Sequence, residues 1–291
     1  MKTSIHSLLE ANAQKLQSLL EAQILLAYVL GVSRSYLYSW PDRCPDEAAC
    51  QQYERLILRR QRGEPIAYIV GVKEFWSLPF SVSHEVLIPR PETELIVELV
   101  LKYIAKEPMR RVLDLGTGSG AIACALAKEF PRWQIVAVDK SDQALRIATE
   151  NAKNLALTNV EFYQSDWFSI FSANHTLFDV IVGNPPYISP RDHHLQAPDI
   201  QYEPRSALIS APDGLTDLKR IIQESPQFLA SNGWLVLEHG FDQSDHVRSL
   251  MEEAGLTGIC CFKDLAGLGR VTLGRSSGTV SPFDALNLGD H

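Results

Sequence analysis

Apolar positions in the first 62 residues recur at three- and four-residue spacing. Leu19, Leu20, Ile24, Leu25, Tyr28 and Val29 form one such stripe, and Gly31 stops it, the pattern of an amphipathic helix closed by a residue that tolerates positive φ. A second helical pattern runs from about Asp46 to Gln61. Together they predict a small helical domain over residues 1–62. From 63 to 90 the pattern alternates and carries Gly71, Pro79 and Pro89, which predicts a β-hairpin linker. Pro91-Glu92-Thr93-Glu94 opens a further helix, because Pro suits a first turn and acids suit a helix N-terminus. Beyond it, over residues 91–275, short apolar runs alternate with helical stretches. The runs are Val112–Leu115, Gln134–Val138, Val160–Tyr163, Phe178–Gly183, Trp234–Glu238, Gly258–Phe262 and Arg270–Leu273. Such alternation predicts an α/β domain built on a parallel sheet. Residues 188–213 form a long connection without periodicity, the usual form of a functional lid. Residues 276–291 are rich in Ser, Gly, Asp and Asn, and a disordered tail is expected there.

Composition narrows the class. Hydrophobic residues make up 45% of the 291 and charged residues 21%, an ordinary soluble globular balance. No apolar run approaches a membrane span, and the first residues do not resemble a signal peptide. Cys44, Cys50, Cys124, Cys260 and Cys261 are odd in number and lack metal spacing, so reduced thiols in the cytoplasm are expected. Cys260-Cys261 is expected in a strand as small apolar packing. His193-His194 invites a metal reading, but adjacent side chains on a strand point apart; a solvated loop and no metal site are expected. The formal net charge is −8. A duplex-DNA binder normally shows a basic face, and only Arg59-Arg60-Gln61-Arg62 and Arg110-Arg111 are locally basic. The first of these reads as a solvated helix end. The acidic balance disfavours direct nucleic-acid binding and permits a basic protein partner.

The candidate chemistry sits at the ends of the apolar runs, where open parallel sheets bind ligands. Asn184-Pro185-Pro186-Tyr187 follows the run Phe178–Gly183. Asn184 offers a carbonyl acceptor and an NH2 donor on one planar head, matching a planar amide or an amino-heterocycle edge. The Pro185 carbonyl can accept a second hydrogen of a substrate NH2, and Tyr187 can stack on the flat group. Upstream, Val112–Leu115 runs into Gly116-Thr117-Gly118-Ser119-Gly120. Glycines let this turn approach a ligand without a Cβ clash, and Asp114 could face the ligand's charged end. Asp139 ends the next run, 23 residues after Gly116, where an acid suits a ribose with two hydroxyls. Ser141 and Asp142 then read as helix-start residues. Asp166-Trp167 follows Val160–Tyr163 and could hold an adenine, the carboxylate on its amino group and the ring on its face. A dinucleotide-binding turn is the rival for the glycine motif, and a lone match of that kind is weak. The amide reader decides against it, since hydride transfer needs none.

Glycine turn, ribose acid, adenine residues and amide reader fall at four successive strand ends, an order that resembles a methyltransferase dependent on S-adenosylmethionine. More specifically the chain resembles the release-factor glutamine methyltransferases of the HemK/PrmC type over roughly residues 1–275. Gly63-Glu64-Pro65-Ile66-Ala67-Tyr68-Ile69, Glu74-Phe75-Trp76, Leu87-Ile88-Pro89-Arg90-Pro91-Glu92-Thr93-Glu94 and Glu238-His239-Gly240 carry that resemblance. It implies a Rossmann-like seven-stranded methyltransferase domain, with the N-terminal helical domain docking a peptide chain release factor. It implies cytoplasmic methylation of the glutamine in the factor's Gly-Gly-Gln loop, with no membrane. It puts the cofactor on Gly116, Thr117, Gly118, Ser119, Gly120, Asp139, Trp167 and Asn184, and the substrate glutamine on Asn184, Pro185, Pro186 and Tyr187. Asn-Pro-Pro-Tyr by itself is shared with enzymes that methylate other amino groups, so a ribosomal-protein glutamine or an adenine in nucleic acid is the alternative substrate.

Overall fold

The structure, a computed structural model, describes residues 3–105, 110–171 and 176–277. Most of the expected tail, 278–291, lies outside them. The chain divides into two compact units. One comprises Met1–Val72 with His193–Tyr202, the other Lys73–Asp192 with Glu203–His291.

The first unit is helical: α1 (Ile5–Leu16), α2 (Leu19–Leu30), α3 (Arg34–Ser39), α4 (Glu47–Gln61) and α5 (Ile66–Val70). Ser4, Ser18, Ser33 and Asp46 each accept a backbone N–H at the start of a helix, satisfying donors that the first turn leaves unpaired. Gly31 closes α2 at φ 63°. Leu25, Leu26, Leu37, Tyr53 and Ile57 are buried at the centre of the bundle, and Ile69 of α5 joins them. The helical unit therefore runs about ten residues beyond the expected boundary at 62, and α5 occupies part of the segment expected to be wholly hairpin. The basic stretch also differs from expectation. Arg59 makes a bidentate pair with Glu64, at 2.7 and 2.6 Å, and Arg60 does the same with Glu21 at 2.8 Å. Planar guanidinium forks match carboxylates in this way, so Arg60 ties α4 to α2 and Arg59 fastens the loop that follows α4. His193–Gln196 forms a 3-10 turn, and the two histidine rings lie 4.0 Å apart; they do not point apart as on a strand. Tyr202 donates to the Arg62 carbonyl at 3.2 Å.

The second unit opens with a two-stranded hairpin, β1 (Val72–Phe75) and β2 (Leu78–Ser81), then α6 (Glu94–Leu99). Its sheet comprises β3 (Arg111–Leu115), β4 (Gln134–Asp139), β5 (Val160–Gln164), β6 (Phe178–Gly183), β7 (Leu229–Glu238), β8 (Thr257–Lys263) and β9 (Gly269–Arg275). The seven strands stand in the order β5-β4-β3-β6-β7-β9-β8. The first five are parallel, and β9 runs antiparallel between β7 and β8. Val112, Leu113, Val180, Ile181 and Val182 are buried, because helices cover both faces of a parallel sheet. Between β3 and β8 lie α7 (Ala121–Glu129), α8 (Asp142–Asn154), α9 (Arg205–Leu208), α10 (Thr216–Glu224) and α11 (Ser244–Glu253). Cys260 and Cys261 fall on β8 as expected.

Candidate active site

Strand register assembles the site. Leu115 of β3 stands opposite Val138 of β4 and Gly183 of β6. Gly183 in turn stands opposite Leu237 of β7. The next residue on each strand is Asp139, Gly116, Asn184 and Glu238, so four groups far apart in sequence emerge side by side at the carboxyl edge. Chain reversal between β3 and β6 leaves the crevice in which such sheets take ligands.

The glycine turn is held from both sides. Gly116, Gly118 and Gly120 have φ of 68°, 55° and 81°, a region costly for residues with a Cβ. At Gly116 space is also short, since a Cβ would lie 3.2 Å from Cζ3 of Trp167. Asp139 accepts the Gly118 N–H on Oδ2 and the Ser141 N–H on Oδ1, both at 2.9 Å. Ser141 caps α8, as its position implied. Asp114 does not face a ligand. It is fully buried and accepts the Thr117 hydroxyl at 2.6 Å. Burial pushes its carboxyl up to about 7, against the pull of Thr117 and the Ala123 amide. Trp167 is 8% exposed and sits at φ 52°, an uncommon backbone state for a bulky residue. The Ser165 hydroxyl holds it there, donating to the Trp167 carbonyl at 2.9 Å. Asp166 pairs with Arg220 at 2.7 Å.

These groups border one cleft of about 950 Å³ including its mouth, within the usual range for small-molecule sites. Gly116, Thr117, Gly118, Ser119, Asp139, Trp167, Asn184 and Pro186 line it, as does Asp166. Gly120, Pro185 and Tyr187 do not: Gly120 caps α7, Pro185 is buried, and the Tyr187 hydroxyl donates to Glu238 Oε1 at 3.0 Å. Burial and Glu238 raise the Tyr187 phenol well above its ordinary value, so it stays a donor.

Two groups escaped the sequence reading. Thr93 lines the cleft and accepts the Asn184 Nδ2–H at 3.1 Å, across 91 residues. Arg90 also lines it and pairs with Glu203 at 2.5 Å. Glu203 belongs to the expected lid, and this pair joins it to a residue 113 positions away. Both residues lie in the stretch 87–94 that carries a resemblance, but no spacing rule connects them to Asn184 or Glu203.

Residues 6–71 match the family model of the PrmC N-terminal domain, and residues 106–266 match a methyltransferase domain. The chain is 45% identical over 281 residues to the release factor glutamine methyltransferase of Vibrio cholerae serotype O1, covering 94% of this chain and 98% of that protein. It is 46% identical over 256 residues to the enzyme of the same name from Pseudomonas aeruginosa, covering 88% and 92%. Among solved structures, a methyltransferase from Pyrococcus furiosus superposes with a TM-score of 0.52 at 16% identity, covering 77% of this chain and 98% of that one, a likeness of fold.

Proposed function

Because the chain belongs to the release factor glutamine methyltransferases, we propose that its cleft transfers a methyl group from S-adenosylmethionine to the side-chain amide nitrogen of the glutamine in the factor's Gly-Gly-Gln loop. One observation carries the reading. Asn184 lines the same cleft as the glycine turn, Asp139 and Trp167, and its NH2 is committed to Thr93, which leaves Oδ1 as the acceptor for a substrate N–H.

The residues present suit the cofactor. A carboxylate has about four acceptor sites, and the Gly118 and Ser141 amides take two of those on Asp139, leaving room for two ribose hydroxyls. Trp167 supplies a ring for the adenine. When bound, S-adenosylmethionine supplies an electrophilic methyl group on a sulfonium. The amide nitrogen it must meet is a poor nucleophile, because its lone pair is delocalised into the carbonyl. Positioning is therefore the main demand on the protein. Asn184 Oδ1 accepts an N–H of the glutamine, and this oxygen stabilises the positive charge that develops on nitrogen. Pro186 lines the cleft beside Asn184, whereas the Tyr187 hydroxyl is engaged by Glu238. No titratable base is required at the moment of transfer.

The helical unit docks the factor. Tyr38 and Trp40 are 63% and 57% exposed there, and aromatic side chains are enriched at protein contacts. The net charge of −8 suits a basic partner. Action in the cytoplasm follows from such a substrate, and no helix among the described residues is long and apolar enough to cross a membrane.

The test is methyl transfer from labelled S-adenosylmethionine to intact release factor, to a ribosomal protein and to DNA. The factor should be the acceptor, and label should vanish when its Gly-Gly-Gln glutamine is replaced by alanine. Labelling of the ribosomal protein or of DNA with the factor untouched would overturn the proposal.

A further inference from the structure

Beneath Asn184 lies a buried carboxylate that the transfer itself does not use. Glu238 ends β7 abreast of Asn184 and is 1% exposed. Its Oε1 takes the Tyr187 hydroxyl. Oε2 has no partner of ordinary hydrogen-bond geometry among the described residues, and the Thr93 hydroxyl is the neighbouring donor that stabilises the carboxylate. Thr93 in turn receives the Asn184 NH2 at 3.1 Å.

We infer that Glu238 is a positioning residue that sets the polarity of the chain Asn184–Thr93–Glu238, so that Asn184 presents its oxygen, and not its NH2, to the acceptor amide. The inference rests on the glutamine reading above. A threonine hydroxyl can donate or accept, so Thr93 alone would tolerate Asn184 in either flip. An ionised carboxylate only accepts. It draws the Thr93 proton to itself, which leaves the Thr93 oxygen able only to receive the Asn184 NH2. Reversed, Asn184 would face a substrate NH2 with its own NH2, donor against donor, and the lost hydrogen bond would fall where the reacting nitrogen must be held.

The surroundings set when Glu238 can do this. Burial pushes its carboxyl up to about 7, and Glu92 adds to that, while Thr93, Tyr187 and Arg270 pull it down. His239 beside it is held by Thr272 at 2.8 Å and the Gly240 carbonyl at 2.9 Å, and burial lowers its pKa. Tyr187 stays protonated, and Arg270 is tied to Asp264 at 2.9 Å. Glu238 is thus the group in this nest whose charge changes near neutrality, and the ionised form is the one that orders Asn184.

The experiment measures kcat against pH for methylation of the intact release factor by wild type, E238Q, T93V and T93S, with S-adenosylmethionine affinity measured alongside. In E238Q, Tyr187 still requires an oxygen, so the new NH2 faces Thr93 and no longer accepts its proton, and the Thr93 hydroxyl becomes free to donate to Asn184 in the reversed flip. E238Q and T93V should lose about ten- to hundred-fold in kcat, the scale of one orienting hydrogen bond, with cofactor affinity unchanged. T93S, which keeps the hydroxyl, should recover most of the rate. Wild-type kcat should rise with pH through about 7, and E238Q should lack that rise. E238Q retaining both rate and acid limb overturns the inference, as does T93S as impaired as T93V; if E238Q fails to fold, the T93V and T93S pair decides alone. An inactive wild type overturns the glutamine reading and this inference with it, whereas an active wild type beside a fully active E238Q overturns this inference only.

Discussion

At Asp139 both carboxylate oxygens are engaged by backbone amides before any ligand arrives. Asp139→Ala should therefore weaken S-adenosylmethionine binding by more than a lost ribose contact, since the glycine turn loses its anchor at Gly118. A loss of about 1.5–3 kcal/mol is expected for hydrogen bonds to a charged acceptor, and titration calorimetry that finds unchanged affinity would remove Asp139 from the cofactor site. Asn184→Ala should behave differently. Its main loss is orientation in the transition state, so turnover should collapse while cofactor affinity changes little; near-normal turnover would end the amide-reader mechanism. Asp114 leaves a signature in stability. Its carboxyl is ordinarily at 3.8 and is raised to about 7 in the fold. The folded protein thus holds a proton that the unfolded chain releases, and this stabilisation is complete below 3.8 and is lost as pH rises through 7. Asp114→Asn, neutral at every pH, should flatten the fall in Tm between pH 5 and 8, and equal slopes for the two proteins would contradict the buried assignment.

Among the elements, the turn after β3 and the segment after β5 brace one another. Trp167 fills the space that a Cβ at Gly116 would need, and its own backbone lies at φ 52°, a state that persists only where surrounding structure enforces it. The segment around Glu203 is fastened in a similar manner. Glu203 is buried, and Arg90 reaches it from the stretch before α6. Arg90→Ala takes a guanidinium from that carboxylate. A fully buried pair would cost more to break, but Arg90 is one-third exposed, so a stability loss of about 1–3 kcal/mol is expected. Chemical denaturation measures it, and a loss too small to detect would show that the pair merely decorates the cleft.

For the molecule as a whole, a Gly-Gly-Gln loop offers few side chains to recognise. Two glycines let it enter a narrow cleft and add little binding energy. Contacts remote from the reacting amide must then position it, and energy from such contacts appears in rate as well as in affinity. A short Gly-Gly-Gln peptide should accordingly be a far poorer substrate than the intact factor, in kcat and in KM. Equal specificity constants for the two would leave the helical unit a structural cap and not a docking domain, with the assignment at Asn184 unaffected.

Local pattern was enough to read the strands of the seven-stranded sheet to within two residues, except that β7 begins at Leu229 and not at Trp234, and to read the helix closed by Gly31 and the cap at Ser141, because these depend on side-chain periodicity and on backbone states that few residues adopt. It also located Gly116–Gly120, Asp139, Trp167 and Asn184 at strand ends, since in a parallel sheet the end of a strand is where ligands bind. Which side chains share the cleft was decided by tertiary structure alone. Register places Glu238 abreast of Asn184, and the chain path brings Thr93 to Asn184 and Arg90 to Glu203. Folding also turned Tyr187 from a stacking surface into the donor of a buried hydrogen bond, and the arginines of α4 from a solvated helix end into ties to α2 and to the following loop. Sequence spacing describes what each residue offers, whereas a hydrogen bond needs two groups within about 3 Å, and for residues a hundred positions apart only the packed chain supplies that distance.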